Sequence, residues 1–267
     1  MPFGNELRDE AIRSLVNSRE TRSEELAGLL LDRLHSEGRL KVEERALSRS
    51  AFAEALTLER VLDEELARLS ATASPTLRYV AERDAAATAH PAQGPASFHE
   101  LVKAGAKVLV LTVNFDHLAE AGLENVRVFA DDDEFAEAAA HIRKYLDGSD
   151  PRVPILKLHG TIDRPETIVA TDNLIFGGIA TNKRAALIDL ATLRLPWAYV
   201  GYSFRDPDIR TVLASNEFQG LSEWWVAPFP VVGTEQFIRD SRPNHDHSKG
   251  TYITQGSDAF FAQLLLA

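Results

Sequence analysis

The chain has 267 residues, a formal net charge of −11 at pH 7 and a sequence pI near 5.2. This length suits one large domain or two small ones, and the acidic balance disfavours binding to nucleic acid and to anionic lipid, because like charges repel. An apolar content of 45% and a charged content of 26% are average for a soluble globular protein, and the absence of cysteine excludes disulfides, thiolate nucleophiles and thiolate zinc sites.

Residues 1–95 are predicted to form a helical region. Apolar residues recur there at the three- and four-residue intervals of an amphipathic helix, as in Leu26, Leu29, Leu30 and Leu34. The segment 90–96, rich in proline, glycine and alanine, is interpreted as a linker to a second region, residues 96–267.

The second region alternates short apolar runs with helical patterns. Residues 97–100 have the spacing of a capping box that opens a short helix, which Gly105 closes. Strands are predicted at 107–111, 126–129, 153–158, 197–200 and 224–232. Helices are predicted directly after Asp116 and at 134–146, 183–193 and 209–216. This alternation predicts an α/β fold, in which helices cover both faces of an open parallel sheet.

Ligands of such sheets bind beyond the carboxyl ends of the strands, so the residues that follow each strand are the candidate site. Asn114 and Asp116 come directly after the first predicted strand. Either side chain is also suited to cap the helix predicted after it, and for these two residues alone capping is the favoured interpretation.

Two further strand ends carry polar residues. His159 follows the strand at 153–158, although a lone histidine is more often structural than catalytic. Gly201 and Ser203 begin the segment 201–208 and offer backbone amides and a hydroxyl to a phosphate, or else form part of a capped turn. If the parent strands are neighbours, all of these groups converge on one crevice.

The strand ends resemble the motifs of sirtuins. Residues 112–122 read T-V-N-F-D-H-L-A-E-A-G and are similar to the sirtuin T-Q-N-I-D-x-L-x-x-x-A-G, with Val113 in place of glutamine. Residues 158–160 read L-H-G, residues 175–178 read I-F-G-G where the family has F-G-E, and residues 201–204 read G-Y-S-F in place of G-T-S-L. The longer string G-Y-S-F-R-D-P-D resembles a divergent, zinc-lacking bacterial branch, whose members are mostly NAD-consuming effectors of anti-phage defence.

The resemblance covers residues 97–267, with the helical region as an insertion, and implies a Rossmann-like fold that takes NAD as its substrate. It assigns catalysis to Asn114 and His159. The residues implied in binding NAD are Thr112, Asp116, Gly201 and Ser203. A basic imidazole and oriented polar groups suit the cation-like centre that forms when nicotinamide leaves.

Two departures from the sirtuin pattern shape the functional hypothesis. Without cysteine the chain lacks the usual four-cysteine zinc ribbon, so no zinc is expected and hydrolysis of NAD is favoured over lysine deacylation. The family's first strand and its Gly-x-Gly-x-Ser turn do not precede Met1. Loss of that central strand is expected to leave an open slot in the sheet. Three explanations stay open: the true start lies upstream, another segment fills the slot, or the chain binds NAD poorly. A truncated or misassigned start is the favoured hypothesis.

The leading function is an NAD glycohydrolase, with a weakly active or inactive NAD-binding sensor as the alternative and a lysine deacylase as the third. Expected partners are a defence-system protein or a second copy of the chain, without nucleic acid or membrane, and the expected location is the cytoplasm.

Three other features are interpreted structurally. The acidic run 131–134 is predicted to cap a helix rather than bind metal, Trp224 and Trp225 are predicted to pack in the core, and His245 and His247 are predicted to lie in a surface loop.

Overall fold

The computed structural model describes residue 62 and residues 74–169, 178–204, 206–242 and 250–266. The chain divides into two compact units, of which one comprises Ala85–Val169 and Leu174–Ala267 and contains every strand described below. The other comprises Met1–Asp84 and Ala170–Asn173. Most of the predicted helical region, the F-G pair of the I-F-G-G motif, and His245 and His247 lie outside the described residues.

Seven helices and six strands of the described residues are numbered in chain order. The helices are α1 (Pro75–Ala89), α2 (Gln93–Lys103), α3 (Asp132–Asp147), α4 (Thr181–Thr192), α5 (Pro207–Leu213), α6 (Val232–Ser241) and α7 (Ser257–Leu266). The strands are β1 (Val110–Thr112), β2 (Val126–Phe129), β3 (Val153–Lys157), β4 (Trp197–Val200), β5 (Glu223–Ala227) and β6 (Tyr252–Thr254). No helix among the described residues has both the length and the apolar content that a membrane crossing requires.

The strands form open parallel sheets flanked by helices, which confirms the predicted α/β class and is consistent with a Rossmann-like fold. They are divided into two three-stranded sheets with the orders β1-β3-β2 and β4-β5-β6, and every pairing is parallel. The middle strand β3 is buried at all five positions, as its nearly continuous apolar sequence requires. Residues of both sheets share one apolar core, which includes Phe129, Leu156, Tyr199 and Trp225.

The predicted helix starts differ from the structure at α2. This helix begins at Gln93, with Ala92 as its N-cap, so the prediction of a capping box at Ser97 is wrong. Pro95 lies in the first helical turn, where amides have no partner within the helix, and proline therefore does not end it. The carboxylate of Asp258 accepts a hydrogen bond from the Gly94 amide at 2.7 Å and caps the helix from α7. Of the segment 90–96 that was predicted as a linker, residues 93–96 belong to α2.

The helix predicted directly after Asp116 is also wrong, because residues 116–122 form bends and turns. Long-range donors take the backbone carbonyls that a helix would use internally. The His99 ring nitrogen Nε2 donates to the carbonyls of Leu118 and Ala119 at 2.9 and 3.2 Å, and the Lys157 ammonium donates to that of Asp116. The segment is thus held by side chains from α2 and β3.

The apolar run predicted as one strand at 224–232 contains a strand and the start of a helix. Strand β5 ends at Ala227 and α6 begins at Val232. Pro228 and Pro230 lack the amide hydrogen that continued pairing requires, so the ladder stops before them. Trp225 in β5 is 2% exposed, as expected for a core residue.

Acidic residues at the start of α3 form the predicted cap. The Asp131 carboxylate accepts from the Glu134 amide at 2.9 Å, and the Glu134 carboxylate accepts in return from the Asp131 amide. This reciprocal capping box accounts for Asp131 and Glu134, while Asp132 accepts hydrogen bonds from the amides of Asn182 and Lys183 at the start of α4.

Candidate functional site

Two of the candidate residues lie on adjacent backbone segments beyond β1 and β3. Thr112 pairs with Lys157 in the sheet, and the Leu158 amide donates to the Thr112 carbonyl at 2.8 Å. Further along, the Ile162 amide donates to the Phe115 carbonyl at 3.0 Å. Asn114 and His159 both fall between these two hydrogen bonds, on opposite segments, so the backbone brings them to the same edge of the sheet.

The side chain of Lys157 connects the segment that carries Asn114 to the segment that carries His159. Its ammonium, which is fully buried, donates to the Asp116 carbonyl and to the Thr161 hydroxyl at 3.2 Å, and it forms an ion pair with Glu120. Burial raises the pKa of Glu120, while the Lys157 charge opposes that rise. The ion pair and the hydrogen bonds of Lys157 therefore hold the Asn114 segment and the His159 segment together.

Asn114 is exposed, whereas Asp116 is buried. One Asp116 carboxylate oxygen accepts from the Leu118 amide at 3.0 Å, which caps the turn that follows. The Thr112 hydroxyl accepts from the Asn114 amide at 3.0 Å and so fixes the backbone that carries Asn114. The Asp116 carboxylate thus caps a turn and not the helix that the sequence predicted there, and the exposed Asn114 side chain is accessible to a ligand.

The loop that carries His159 depends on the glycine beside it. Gly160 has φ +89, and a Cβ placed there would lie 2.2 Å from the Thr167 carbonyl oxygen. The Val169 amide donates to the His159 carbonyl at 2.9 Å, and the Thr161 amide donates to the Thr167 hydroxyl at 3.1 Å. Only a residue without a side chain permits this close approach, so Gly160 sets the position of the His159 backbone.

His159 contacts the next motif through its ring. The ring nitrogen Nε2 lies 3.1 Å from the Asp208 carboxylate oxygen Oδ2, and the two side chains are 5% and 2% exposed. Asp208 is the second residue of α5, which follows the loop 201–206. The bond therefore joins the carboxyl end of β3 to the segment that follows β4, across the division between the two sheets.

A buried lysine lies beside this pair. The Lys183 ammonium donates to the Leu158 carbonyl at 2.9 Å, directly before His159 in the chain, and its charge interacts with Asp208. Burial lowers the pKa of Lys183, and the carboxylates around it oppose that effect.

The loop that carries Gly201 and Ser203 is anchored through its aromatic residue. Phe204 has φ +56, which is uncommon for a residue with a side chain, and its ring is 1% exposed and stacks on Phe237 at 4.2 Å between ring centroids. Gly201, with φ +67, is exposed, and a Cβ added there would meet no atom of the described residues within 4 Å. The inner side of the loop is thus packed, while its Gly201 side is open and has room for a ligand.

Three residues of this region were not assigned a role from the sequence. Lys157 had a detectable signal, because a lysine inside an apolar strand is rarely buried without a partner. Asp208 and Glu120 lie inside the motif strings that resemble sirtuins, but nothing local pairs them with their partners, which lie 49 and 37 residues away in the chain. Within the described ranges, no three histidine or acidic side chains are grouped as a metal site would require.

Comparison with known protein families identifies a match to part of this chain. Residues 108–246 match the model of the SIR2-like domain, and this stretch includes Asn114, Lys157, His159, Ser203 and Asp208. No curated protein matches the chain. The match spans slightly more than half of the 267 residues and supports a sirtuin-like function that uses NAD. The chain belongs to the SIR2-like family.

Proposed function

We propose that this chain is an NAD glycohydrolase, which converts NAD and water to nicotinamide and ADP-ribose. The observation that carries the proposal is the approach of His159 to two other motifs within a SIR2-like domain. Backbone hydrogen bonds join its segment to that of Asn114, and its ring is bonded to the helix that follows the Gly201–Ser203 loop. Ligands of parallel α/β sheets bind at such an edge.

The proposed binding mode divides NAD between the two loops. The backbone of Gly201 and the Ser203 hydroxyl are suited to the dinucleotide phosphates, because the Gly201 side of that loop is open. Thr112 and Asp116 support the segment that carries Asn114, whose exposed amide faces the nicotinamide ribose in this proposal. Asp116 acts there through the backbone that it caps.

The chemistry breaks the bond between the nicotinamide nitrogen and the ribose carbon C1′. The bonding electron pair leaves with nicotinamide, and positive charge develops on the ribose. A water molecule then forms the new bond to C1′ and gives up a proton, for which the His159 imidazole is the base. The Asn114 amide stabilises the developing charge and orients the reacting groups.

A turnover assay on the full chain tests this function. NAD is incubated with the protein without any acylated peptide, and nicotinamide and ADP-ribose are separated and quantified by chromatography. We expect both products in equal amounts, and at least about a 100-fold loss of rate in Asn114→Ala and His159→Ala, the lower end for general acid–base catalysis. Asn216→Ala and His90→Ala, at exposed positions, are the matched controls.

Each other outcome of this assay indicates a different mechanism or a different function. Full turnover in both variants removes Asn114 and His159 from the mechanism. Thermal stabilisation by NAD without any product identifies a binding module instead of an enzyme. Nicotinamide release that requires an acyl-lysine peptide identifies a deacylase.

The proposal extends to an effector role in anti-phage defence, which rests on the resemblance of the string G-Y-S-F-R-D-P-D to the bacterial branch. Such an effector acts with a partner protein of a defence system or as a homo-oligomer. Measurement of cellular NAD after phage infection, in bacteria that carry the wild-type chain or His159→Ala, tests this role. Depletion in the wild type alone supports it, and equal NAD levels contradict it.

A further inference from the structure

We propose that Asp208 is a positioning residue for His159, which fixes the protonation of the ring and stabilises its charged form during turnover. This inference rests on the proposed hydrolysis of NAD, because it assigns Asp208 a part in that reaction. Asp208 is bonded to the ring of His159 and acts through it, without contact with NAD.

The contact between His159 and Asp208 indicates which ring nitrogen carries a hydrogen. An ionised carboxylate only accepts hydrogen bonds, so at the 3.1 Å contact with Oδ2 the ring nitrogen Nε2 must carry the hydrogen. The neutral ring then has its lone pair on Nδ1. Among the described residues this is the one hydrogen bond that the ring makes, which leaves Nδ1 as the nitrogen that acts as base.

Burial makes the Asp208 carboxylate depend on the few groups that surround it. The side chains of His159 and Asp208 are 5% and 2% exposed, so the carboxylate has little water to solvate it. In the described part of the chain, its other oxygen Oδ1 has no hydrogen-bond donor. The stability of the buried charge therefore depends on the Nε2 hydrogen and on the nearby Lys183 ammonium. When Nδ1 takes a proton, the resulting imidazolium faces a carboxylate in a medium where their attraction is strong.

The backbone that carries each of the two side chains is held in place by its own contacts. Asp208 is followed in α5 by Ile209, Val212 and Leu213, all buried in the apolar core. The backbone of His159 is held at the same time by the hydrogen bond from Val169. Both partners are thus fixed from opposite sides, and the ring orientation follows from their bond.

Asp208→Asn in the full chain separates positioning from mere structural support. The amide keeps the shape of the carboxylate but both donates and accepts, so it no longer imposes one tautomer. We expect kcat for NAD to fall by about 10- to 100-fold, the loss found when a metal-binding histidine loses its orienting carboxylate, with KM changed by less than about threefold. Asp240→Asn is the matched control, since Asp240 contacts the same helix through Arg210 at 3.5 Å on its exposed side.

The second readout does not require activity. In the wild type, at a pH high enough to keep the histidine rings neutral, ¹⁵N NMR is expected to show His159 with a protonated Nε2 and an unprotonated Nδ1, assigned by the loss of this signal in His159→Ala. In Asp208→Asn this pattern is expected to change to a mixture of tautomers. Asp240→Asn is expected to keep the wild-type spectrum.

The outcomes are distinguishable from a failure of the proposed function. If the wild type releases no nicotinamide, the hydrolase proposal fails, and the NMR spectra still decide whether Asp208 sets the protonation of His159. If the wild type is active, unchanged kcat or an unchanged His159 spectrum in Asp208→Asn overturns the inference. A rise of KM alone, with kcat retained, also overturns it, because it would place Asp208 in substrate binding.

Discussion

Replacement of Lys157 by methionine is expected to destabilise the fold strongly, because it leaves the Glu120 carboxylate buried without its cation. Removal of one partner from a buried ion pair costs about 3–5 kcal/mol. The Glu120 side chain keeps 10% of its surface exposed, so water partly solvates the orphaned carboxylate. We therefore expect a loss of about 3 kcal/mol in the free energy of unfolding, at the lower end of that range. The assay is urea denaturation at pH 7, followed by far-UV circular dichroism.

The pH dependence of this loss identifies its cause. Without Lys157, burial raises the pKa of Glu120 further above its usual value near 4.5, so the folded protein binds a proton that the unfolded chain has released. A group with a raised folded-state pKa contributes stability that is present below its unfolded pKa and is lost as the pH rises through the folded pKa. Lys157→Met is therefore expected to be less destabilising at pH 5 than at pH 8.

Two further variants complete the test. Lys103→Met removes a surface pair with Glu100, whose side chains are 53% and 60% exposed, and it is expected to cost less than about 1 kcal/mol. The double variant Lys157→Met/Glu120→Gln removes the orphaned charge and is expected to recover part of the loss. A cost below about 1 kcal/mol for Lys157→Met, or an equal cost at both pH values, would refute a buried ion pair at this position.

Two other substitutions probe the loops of the site. Gly160→Ala brings a methyl group to within 2.2 Å of the Thr167 carbonyl, so it should lower the melting temperature more than Gly105→Ala, which has φ +97 but open space around it. Equal shifts in differential scanning calorimetry would mean that the loop moves aside without cost. Phe204→Ala removes a ring stacked on Phe237 and is expected to cost about 3 kcal/mol or more in urea denaturation, with no offset from its positive φ, because alanine keeps the Cβ atom. A neutral result would show that this ring does not anchor the loop.

Local sequence patterns predicted five of the six described strands at least in part, while β6 (Tyr252–Thr254) was not predicted. The runs at 126–129 and 197–200 coincide with β2 and β4, because each is a short apolar stretch bounded by residues that disfavour a strand. The capping box of α3 was likewise predictable, since its two partners are three residues apart. The strand-end rule then placed Asn114 and His159 among the candidates.

Features that depend on distant contacts were not predictable. The helix expected after Asp116 fails because His99 and Lys157, from other elements, take its carbonyls. The partnership of His159 with Asp208 spans 49 residues and depends on how the fold places the start of α5 near the carboxyl end of β3. The sequence contains both residues, but the distance between them is a property of the fold.

A crystal structure of the chain with ADP-ribose, the proposed product, tests the central claim most directly. The account predicts the free ribose within hydrogen-bonding distance of Asn114 and His159, with the diphosphate beside Gly201 and Ser203. ADP-ribose bound at another surface, such as the groove lined by Arg127, Lys144 and Arg152, would contradict it.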